Sequence, residues 1–446
     1  MACPGQNPSS SPRRLRHCRA GPVCLTLSAH PVIRPPVLSD RRGFFCAQRR
    51  PFVPEQFLHG VEVVEITDGP RPIRTVTSAV IGLVGTAPEA DADAFPLNAP
   101  VLVAGSRTEG AKLGTAGTLP AALDGVFDQI GALVVVVRID DGADEPATLA
   151  NVIGGVNAET GAYEGVHALL AAQTTLGVTP RILCAPGWTH QRPDVEGTAT
   201  ANPVVAELLG IAQRLRAVIL ADGPNTTDAA AMAYRGDWGS ARVYVIDPWV
   251  RASREGAVVT EPASARVAGL IARIDNDRGF WWSPSNQTIN GIVGTARPVD
   301  FALGDASARA NVLNAGEVAT LIREDGYRLW GNRTCSDDPL FAFLSVRRTA
   351  DIIQDSLLRA HLWAVDRNIT KTYLEDVAEG VNAYLRSLQA QGAILGGRCW
   401  PDPDLNSPMN IADGKVFFNF DFTPPYPAEH ITFRSHLVAD YLEEIL

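Results

Sequence analysis

Ala132-Leu-Val-Val-Val-Val137, between Gly131 and Arg138, is the most apolar run in the chain and predicts a strand that continues to Ile139. Crossing a bilayer takes about 20 apolar residues, so this run is strand-sized. Further apolar runs predict strands at Val101–Ala104, Arg181–Ala185, Ala217–Ala221 and Arg242–Ile246. Between and after them, helical spacing predicts helices over Leu119–Gln129, Ala162–Leu176, Pro203–Arg216, Thr226–Arg235 and Pro262–Arg273. Asn202-Pro203 supplies a cap with proline at the first helical position. Strands alternating with helices imply a parallel sheet covered on both faces, hence an α/β fold.

Outward from this region the pattern changes. Ala79-Val-Ile-Gly-Leu-Val-Gly85 predicts one more strand at the front of the globular part. Before it, Phe57-Leu-His-Gly-Val-Glu-Val-Val-Glu-Ile66 alternates loosely and is broken by Asp68-Gly-Pro-Arg-Pro72, which predicts an extended arm. Beyond residue 280 the chain is mixed α+β. Val318–Arg323 and Tyr327–Trp330 flank Glu324-Asp-Gly326, a predicted hairpin. Long helices are expected over Val346–Ala364 and Lys371–Gln391. Strand patterns return at Lys415–Phe422 and, after Pro424-Pro-Tyr-Pro427, at Ile431-Thr-Phe-Arg434.

At 446 residues the chain exceeds the size at which one core stops growing, so more than one globular unit is expected. Its net charge of −10 is unevenly spread. Residues 1–52 hold nine arginines and one acid, Asp40, leaving 30 basic against 48 acidic groups beyond them. Such an acidic body repels nucleic-acid backbones. Cys3, Cys18, Cys24 and Cys46 sit in the basic head, and Cys184, Cys335 and Cys399 are far apart, in neither metal-site nor disulfide spacing. A reducing, cytoplasmic place of synthesis follows. The head is dense in Pro, Arg and Ser and lacks periodicity. It is read as an upstream reading frame joined to the gene, with translation starting near Val53; a transit peptide and a disordered arm are the alternatives.

Catalytic signatures are weak. Gly105-Ser-Arg-Thr-Glu-Gly110-Ala-Lys112 resembles a phosphate loop, but Ala111 separates the lysine from the second glycine and Leu113 stands where Ser or Thr would bind magnesium. Between residues 60 and 360 the only histidines are His167 and His190. An α/β hydrolase using His190 or His167 as base is the alternative function, with no GxSxG to supply its nucleophile. Asp140-Asp-Gly-Ala-Asp-Glu145 reads as a solvated turn, Asp402-Pro-Asp-Leu-Asn406 as an Asx turn, and Phe280-Trp-Trp282 as core packing at a domain junction. No cofactor and no metal are expected.

Several segments, in order, resemble the contractile tail sheath proteins of myoviruses and R-type pyocins: Phe57-Leu-His-Gly60, Leu220-Ala-Asp-Gly-Pro-Asn225, Gly279-Phe-Trp-Trp-Ser-Pro-Ser-Asn286, Gly291-Ile-Val-Gly-Thr-Ala-Arg-Pro-Val299, Asp325-Gly-Tyr-Arg-Leu-Trp-Gly-Asn-Arg-Thr334, Trp363-Ala-Val-Asp-Arg-Asn-Ile-Thr-Lys-Thr-Tyr373 and Asp402-Pro-Asp-Leu-Asn406. The resemblance covers about residues 57 to 446. It implies a structural protein of the virion tail, assembled in the host bacterial cytoplasm, rather than an enzyme. The implied fold has an outer α/β part with a subtilisin-like, doubly wound sheet over 76–280. An inner, tube-facing α+β sheath domain follows over 281–446. The arm 53–75 and the C-terminal arm, about 429–446, are expected to pair with sheets of neighbouring subunits. On the arms that implicates Val61, Val63, Val64 and Ile66 at the front and Ile431, Phe433, Leu437, Tyr441 and Leu442 at the back. The implied partners are further copies in hexameric rings, the tail tube protein, and baseplate and tail terminator proteins. Nucleic acid and small-molecule substrates are not among them. The helix near the C-terminus faces the tube in this family; over 371–391 it carries Lys371 and Arg386 against Glu375, Asp376 and Glu379 here.

Overall fold

The computed structural model describes residues 72–441 apart from Glu255. The head 1–52, the arm strand Phe57–Ile66 with Val61, Val63, Val64 and Ile66, and Leu442 lie outside the described residues. The main sheet has six strands: β1 Ile81–Thr86, β2 Pro100–Ala104, β3 Leu133–Ile139, β4 Ile182–Cys184, β5 Val218–Asp222 and β6 Val243–Ile246. Their order is β6-β5-β4-β1-β3-β2. All neighbours run parallel except β2 against β3. The reversal of β2 departs from the all-parallel expectation. Residues 87–99 contain turns and no helix, so the chain comes back running the opposite way.

Pleating explains why the β3 run is apolar throughout. Val134 and Val136 join Leu83, Ile182 and Leu220 under the helices Leu119–Phe127 and Ser264–Asp277. Val135 and Val137 face the other way, toward the helix Pro203–Leu215, with Leu183, Ile219 and Val245. Both faces are buried along Val134–Val137, so a polar side chain there would lack a partner; Arg138, near the strand's end, is only half-buried and donates to the Ala87 carbonyl at 3.4 Å.

Two helical expectations change. A helix Glu145–Ile153 follows the acidic stretch that reads as a turn, with Asp144 accepting from the Ala147 N–H at 2.8 Å and Pro146 in the first turn. The Asp-Glu-Pro sequence is therefore a helix start. The long helix expected from Ala162 does not begin there, because Gly165 has a φ of +60° and a Cβ would lie 2.5 Å from the Val152 carbonyl. A small hairpin, Gly155–Val156 with Tyr163–Glu164, a 3-10 segment and the short helix Ala172–Leu176 take its place.

After β6 the chain forms an antiparallel pair, Val250–Arg254 with Ala257–Glu261, which sequence periodicity does not mark. Thr320–Arg323 and Tyr327–Trp330 form the expected hairpin, turned by Asp325 and Gly326, both at positive φ. The long helices Leu344–Ala360 and Lys371–Ala390 follow, then the hairpin Gly396–Pro401 with Phe418–Thr423. They share a third core around Ile352, Ile353, Val381, Tyr384, Leu385 and Leu388, onto which Ile73 and Val76 pack.

Ion pairs fasten the helix Leu344–Ala360 to the α/β body. Asp351, 3% exposed, receives a two-pronged contact from Arg242 at 2.8 and 2.9 Å and another from Arg347 at 2.7 and 3.1 Å. Arg348 does the same to the buried Asp275 at 2.6 and 2.8 Å, and Arg181 holds Asp355. Removing one member of such a set strands the other charge in low dielectric, at a cost of about 3–5 kcal/mol. Asp351→Ala is expected to lower the unfolding free energy by that amount in urea titrations, and Asp351→Asn by less.

Asp222, at the end of β5, is fully buried and accepts from the Ser264 N–H at 2.8 Å and its hydroxyl at 2.5 Å. Burial pushes its carboxyl up to about 6 from 3.8, with the Ser264 bonds opposing. The native state therefore binds the proton more tightly than the unfolded chain. That stabilisation is complete below pH 3.8 and is lost as pH rises through about 6. Wild type should lose roughly 3 kcal/mol across this window relative to Asp222→Asn, whose stability lacks this slope; denaturant midpoints at a series of pH values read it directly.

Candidate functional site: the C-terminal hairpin and tail

Phe418, Phe420 and Phe422 alternate with Asn419, Asp421 and Thr423, which places the three rings against the helix pair and the polar side chains in solvent. Opposite them, Cys399 is buried on the same inner face. Between the strands, Asp402 Oδ1 accepts from the Asp404 and Leu405 N–H groups at 2.9 and 2.7 Å, the Asx turn that its spacing predicts. Asn406 completes the corner through the Phe417 N–H and carbonyl, both at 2.8 Å. Among the described residues this sheet has two strands, so backbone groups along its margins have no ladder partner there.

The tail leaves this hairpin under constraint. Pro424, Pro425 and Pro427 cannot donate to a ladder, and Tyr426 sets its ring against Phe343, centroids 6.2 Å apart. Glu429 then accepts from Arg333 Nε and Nη2 at 2.8 and 2.7 Å. Past this clasp the backbone has no regular structure up to the last described residues. Ile431 is 67% exposed, Phe433 92%, Tyr441 73%, and Leu437 fully. The strand pattern at Ile431–Arg434 thus has no partner strand within the described chain. At the other end, Thr75 Oγ1 lies 3.2 Å from the Tyr384 hydroxyl, and the Val76 N–H donates to Ser356 Oγ at 3.1 Å. Both ends of the described chain therefore run from the same pair of helices.

The positions examined for catalysis hold structural contacts. His190 is half-buried with Nδ1 unpartnered, its ring edge-on to Trp249 at 4.9 Å, and burial lowers its pKa. His167 Nε2 sits 2.8 Å from Glu207. No serine or cysteine bonds to either ring among the described residues, and Ser264, which bonds a carboxylate, is wholly buried. Gly105–Lys112 is spent on a helical turn, Arg107–Gly110, in which Ser106 Oγ accepts from the Glu109 N–H, and Lys112 pairs with Glu109 at 2.8 Å. Phe280 is core, as expected, whereas Trp282 is exposed beneath the Arg278 guanidinium. Among the described residues no group of three or more His, Cys, Asp or Glu is placed to hold a metal ion, and no helix is long and apolar enough to cross a membrane.

Comparison with known proteins converges on one family. The tail sheath protein Gp18 domain III N-terminal region matches residues 78–139, the phage tail sheath protein central domain 161–335, and the phage tail sheath C-terminal domain 336–437. A putative prophage major tail sheath protein of Pseudomonas aeruginosa (strain UCBPP-PA14) is 43% identical over 393 residues, 87% of this chain and 99% of that one. The tail sheath protein of Escherichia phage P2 is 39% identical over 397 residues, 87% of this chain and 97% of that one. The fold is shared with the contracted sheath complex of an extracellular contractile injection system, at a TM-score of 0.63 and 18% identity over 86% of this chain and 99% of the other. It is shared equally with the contracted helical sheath of the anti-feeding prophage, at a TM-score of 0.63 and 21% identity over 85% and 99%. On sequence matches that span the described α/β body, the long helices and the tail clasp, the chain belongs to the phage tail sheath family.

Proposed function

We propose that the chain is the sheath subunit of a contractile phage or prophage tail, polymerising as stacked hexameric rings around the tail tube and contracting to drive that tube through a target envelope. The observation that carries this reading is the exposed, extended tail beyond the Arg333–Glu429 clasp, with its apolar side chains in solvent. An isolated subunit gains nothing from such a segment; a neighbour's sheet can bury it. Ile431, Phe433, Leu437, Tyr441 and Leu442 of one subunit, and Val61, Val63, Val64 and Ile66 of another, are the proposed strand residues. Each added ladder bond contributes on the order of 1 kcal/mol net, and the repetition of the subunit multiplies it.

In this reading residues 76–280 form the outer, subtilisin-like part and residues 281–446 the inner part that lies on the tube. The tube protein, baseplate and tail terminator are the other partners, and particles assemble in the host cytoplasm. Firing needs no nucleotide: a kinetically held extended sheath relaxes by rigid-body rotation while the strand connections persist. The ion-paired helix Leu344–Ala360 suits that role, because it keeps the hairpin from drifting relative to the α/β body.

Purified wild-type protein is expected to form tubes or ring stacks in negative-stain micrographs. A chain ending at Glu429, and the double substitution Ile431→Asp with Phe433→Asp, should stay monomeric with an unchanged thermal midpoint. A wild type that remains a monodisperse monomer under assembly conditions would count against the sheath reading.

A further inference from the structure

We infer that Asn290 is a self-modification site: in the folded chain the backbone nitrogen of Gly291 displaces ammonia from its carboxamide, and Arg266 and Gln129 assist the step.

Asn290-Gly291 is the chain's only Asn-Gly pair. Asparagine before glycine is labile, because no side chain on the second residue hinders its nitrogen from reaching the asparagine carboxamide. Both residues are exposed here, and Gly291 has a φ of +73°. They lie in the turn between Ile289, whose N–H donates to the Tyr327 carbonyl at 2.8 Å, and Val293, whose N–H donates to the Arg251 carbonyl at 2.8 Å. Neither the Asn290 carboxamide nor the Gly291 N–H has a hydrogen-bond partner among the described residues, so both reacting groups are free.

What distinguishes this pair is the oxygen between its members. The Asn290 carbonyl accepts from Gln129 Nε2 at 2.9 Å and from Arg266 Nη1 at 3.2 Å. Gln129 is fixed in turn, because its Oε1 accepts from the Asn290 N–H at 3.0 Å. Arg266, 1% exposed, is held by Asp128 at 2.8 Å and Glu261 at 3.1 Å. A Cβ on residue 291 would lie 2.7 Å from Arg266 Nη1, so glycine is also what lets the guanidinium approach. The carbonyl and the Gly291 N–H belong to one peptide group. As that nitrogen gives up its proton, negative charge moves onto the oxygen, where a guanidinium and an amide already point. The fold thereby makes the Gly291 nitrogen a better nucleophile than it is in an unfolded chain.

The reaction balances with water alone. The Gly291 nitrogen bonds to Asn290 Cγ, the bond from Cγ to Nδ2 breaks, and Nδ2 leaves as ammonia with the proton that the glycine nitrogen gave up. A cyclic succinimide remains, and water opens it at either carbonyl. Opening at Cγ breaks the new bond and gives aspartate. Opening at the backbone carbonyl breaks the old peptide bond and gives isoaspartate, whose chain runs through the side chain. In that product the former peptide oxygen belongs to a free carboxylate facing Gln129 and Arg266, so isoaspartate is the favoured outcome. It adds a methylene to a turn that is tied at both ends.

Full-length protein is incubated at mildly alkaline pH, folded and in urea, for as long as the unfolded chain needs to react, and then mapped by peptide mass spectrometry. In the folded chain Asn290 is expected to deamidate roughly tenfold faster than the other asparagines. Isoaspartate, tagged by isoaspartyl methyltransferase, should form a larger share of its product than in urea. In Gln129→Ala, folded by circular dichroism, the rate at Asn290 should fall about threefold. An Asn290 that stays intact in the folded protein while reacting in urea overturns the inference, because the fold then protects the pair. A faster reaction in Gln129→Ala overturns the activating role of the donors. Equal product shares in the two states overturn the role of Arg266 in holding the carboxylate.

Discussion

The helix Leu344–Ala360 is the joint on which both halves of the molecule depend. Ile352 and Ile353 belong to the C-terminal core, while Arg348, Asp351 and Asp355 bond to Asp275, Arg242 and Arg181 of the α/β body. An apolar interface resists separation but tolerates sliding. Paired guanidinium and carboxylate groups do not, because their paired hydrogen bonds hold only over a narrow range of distances and angles. The hairpin and both described chain ends pack on this helix and its neighbour, so their aim is set by the buried Asp275 and Asp351 and the largely buried Asp355.

Arginine is suited to this task and lysine is not. Only three lysines occur in the chain, at positions 112, 371 and 415, and each pairs with an acid at the surface. The buried pairs all use arginine, whose planar fork satisfies a carboxylate twice and is less costly to dehydrate than an ammonium. The rigid-body motion proposed for the subunit is favoured by contacts that are rigid rather than merely adhesive.

At the carboxyl ends of the strands, where α/β enzymes place their chemistry, polar residues hold the fold together. Asp222 ties β5 to the start of the helix Ser264–Asp277, Asp247 accepts from the Asn225 N–H at 2.7 Å and pairs with Arg297, and the Tyr234 hydroxyl bonds the Thr189 carbonyl. These groups resemble the raw material of an active site, and their side chains are already committed to one another. Likeness of fold by itself carries no activity.

Much of this was legible in the chain. The β3 run, the Asn202-Pro203 cap and the Asp325-Gly326 turn act through local sterics and pleat, and short stretches determine such features unaided. The family followed from ordered motifs between residues 57 and 446. The start of the helix Glu145–Ile153 lies in Asp-Glu-Pro, but acidic clusters also make turns, so the local pattern alone does not separate the two. What no local pattern carried was pairing. The reversal of β2 and the three ion pairs of Leu344–Ala360 join residues from 29 to 174 positions apart. The sequence by itself determined the α/β class and the family. Only the tertiary structure decided which distant side chains pair, because a buried charge is satisfied or stranded according to what the folded chain brings beside it.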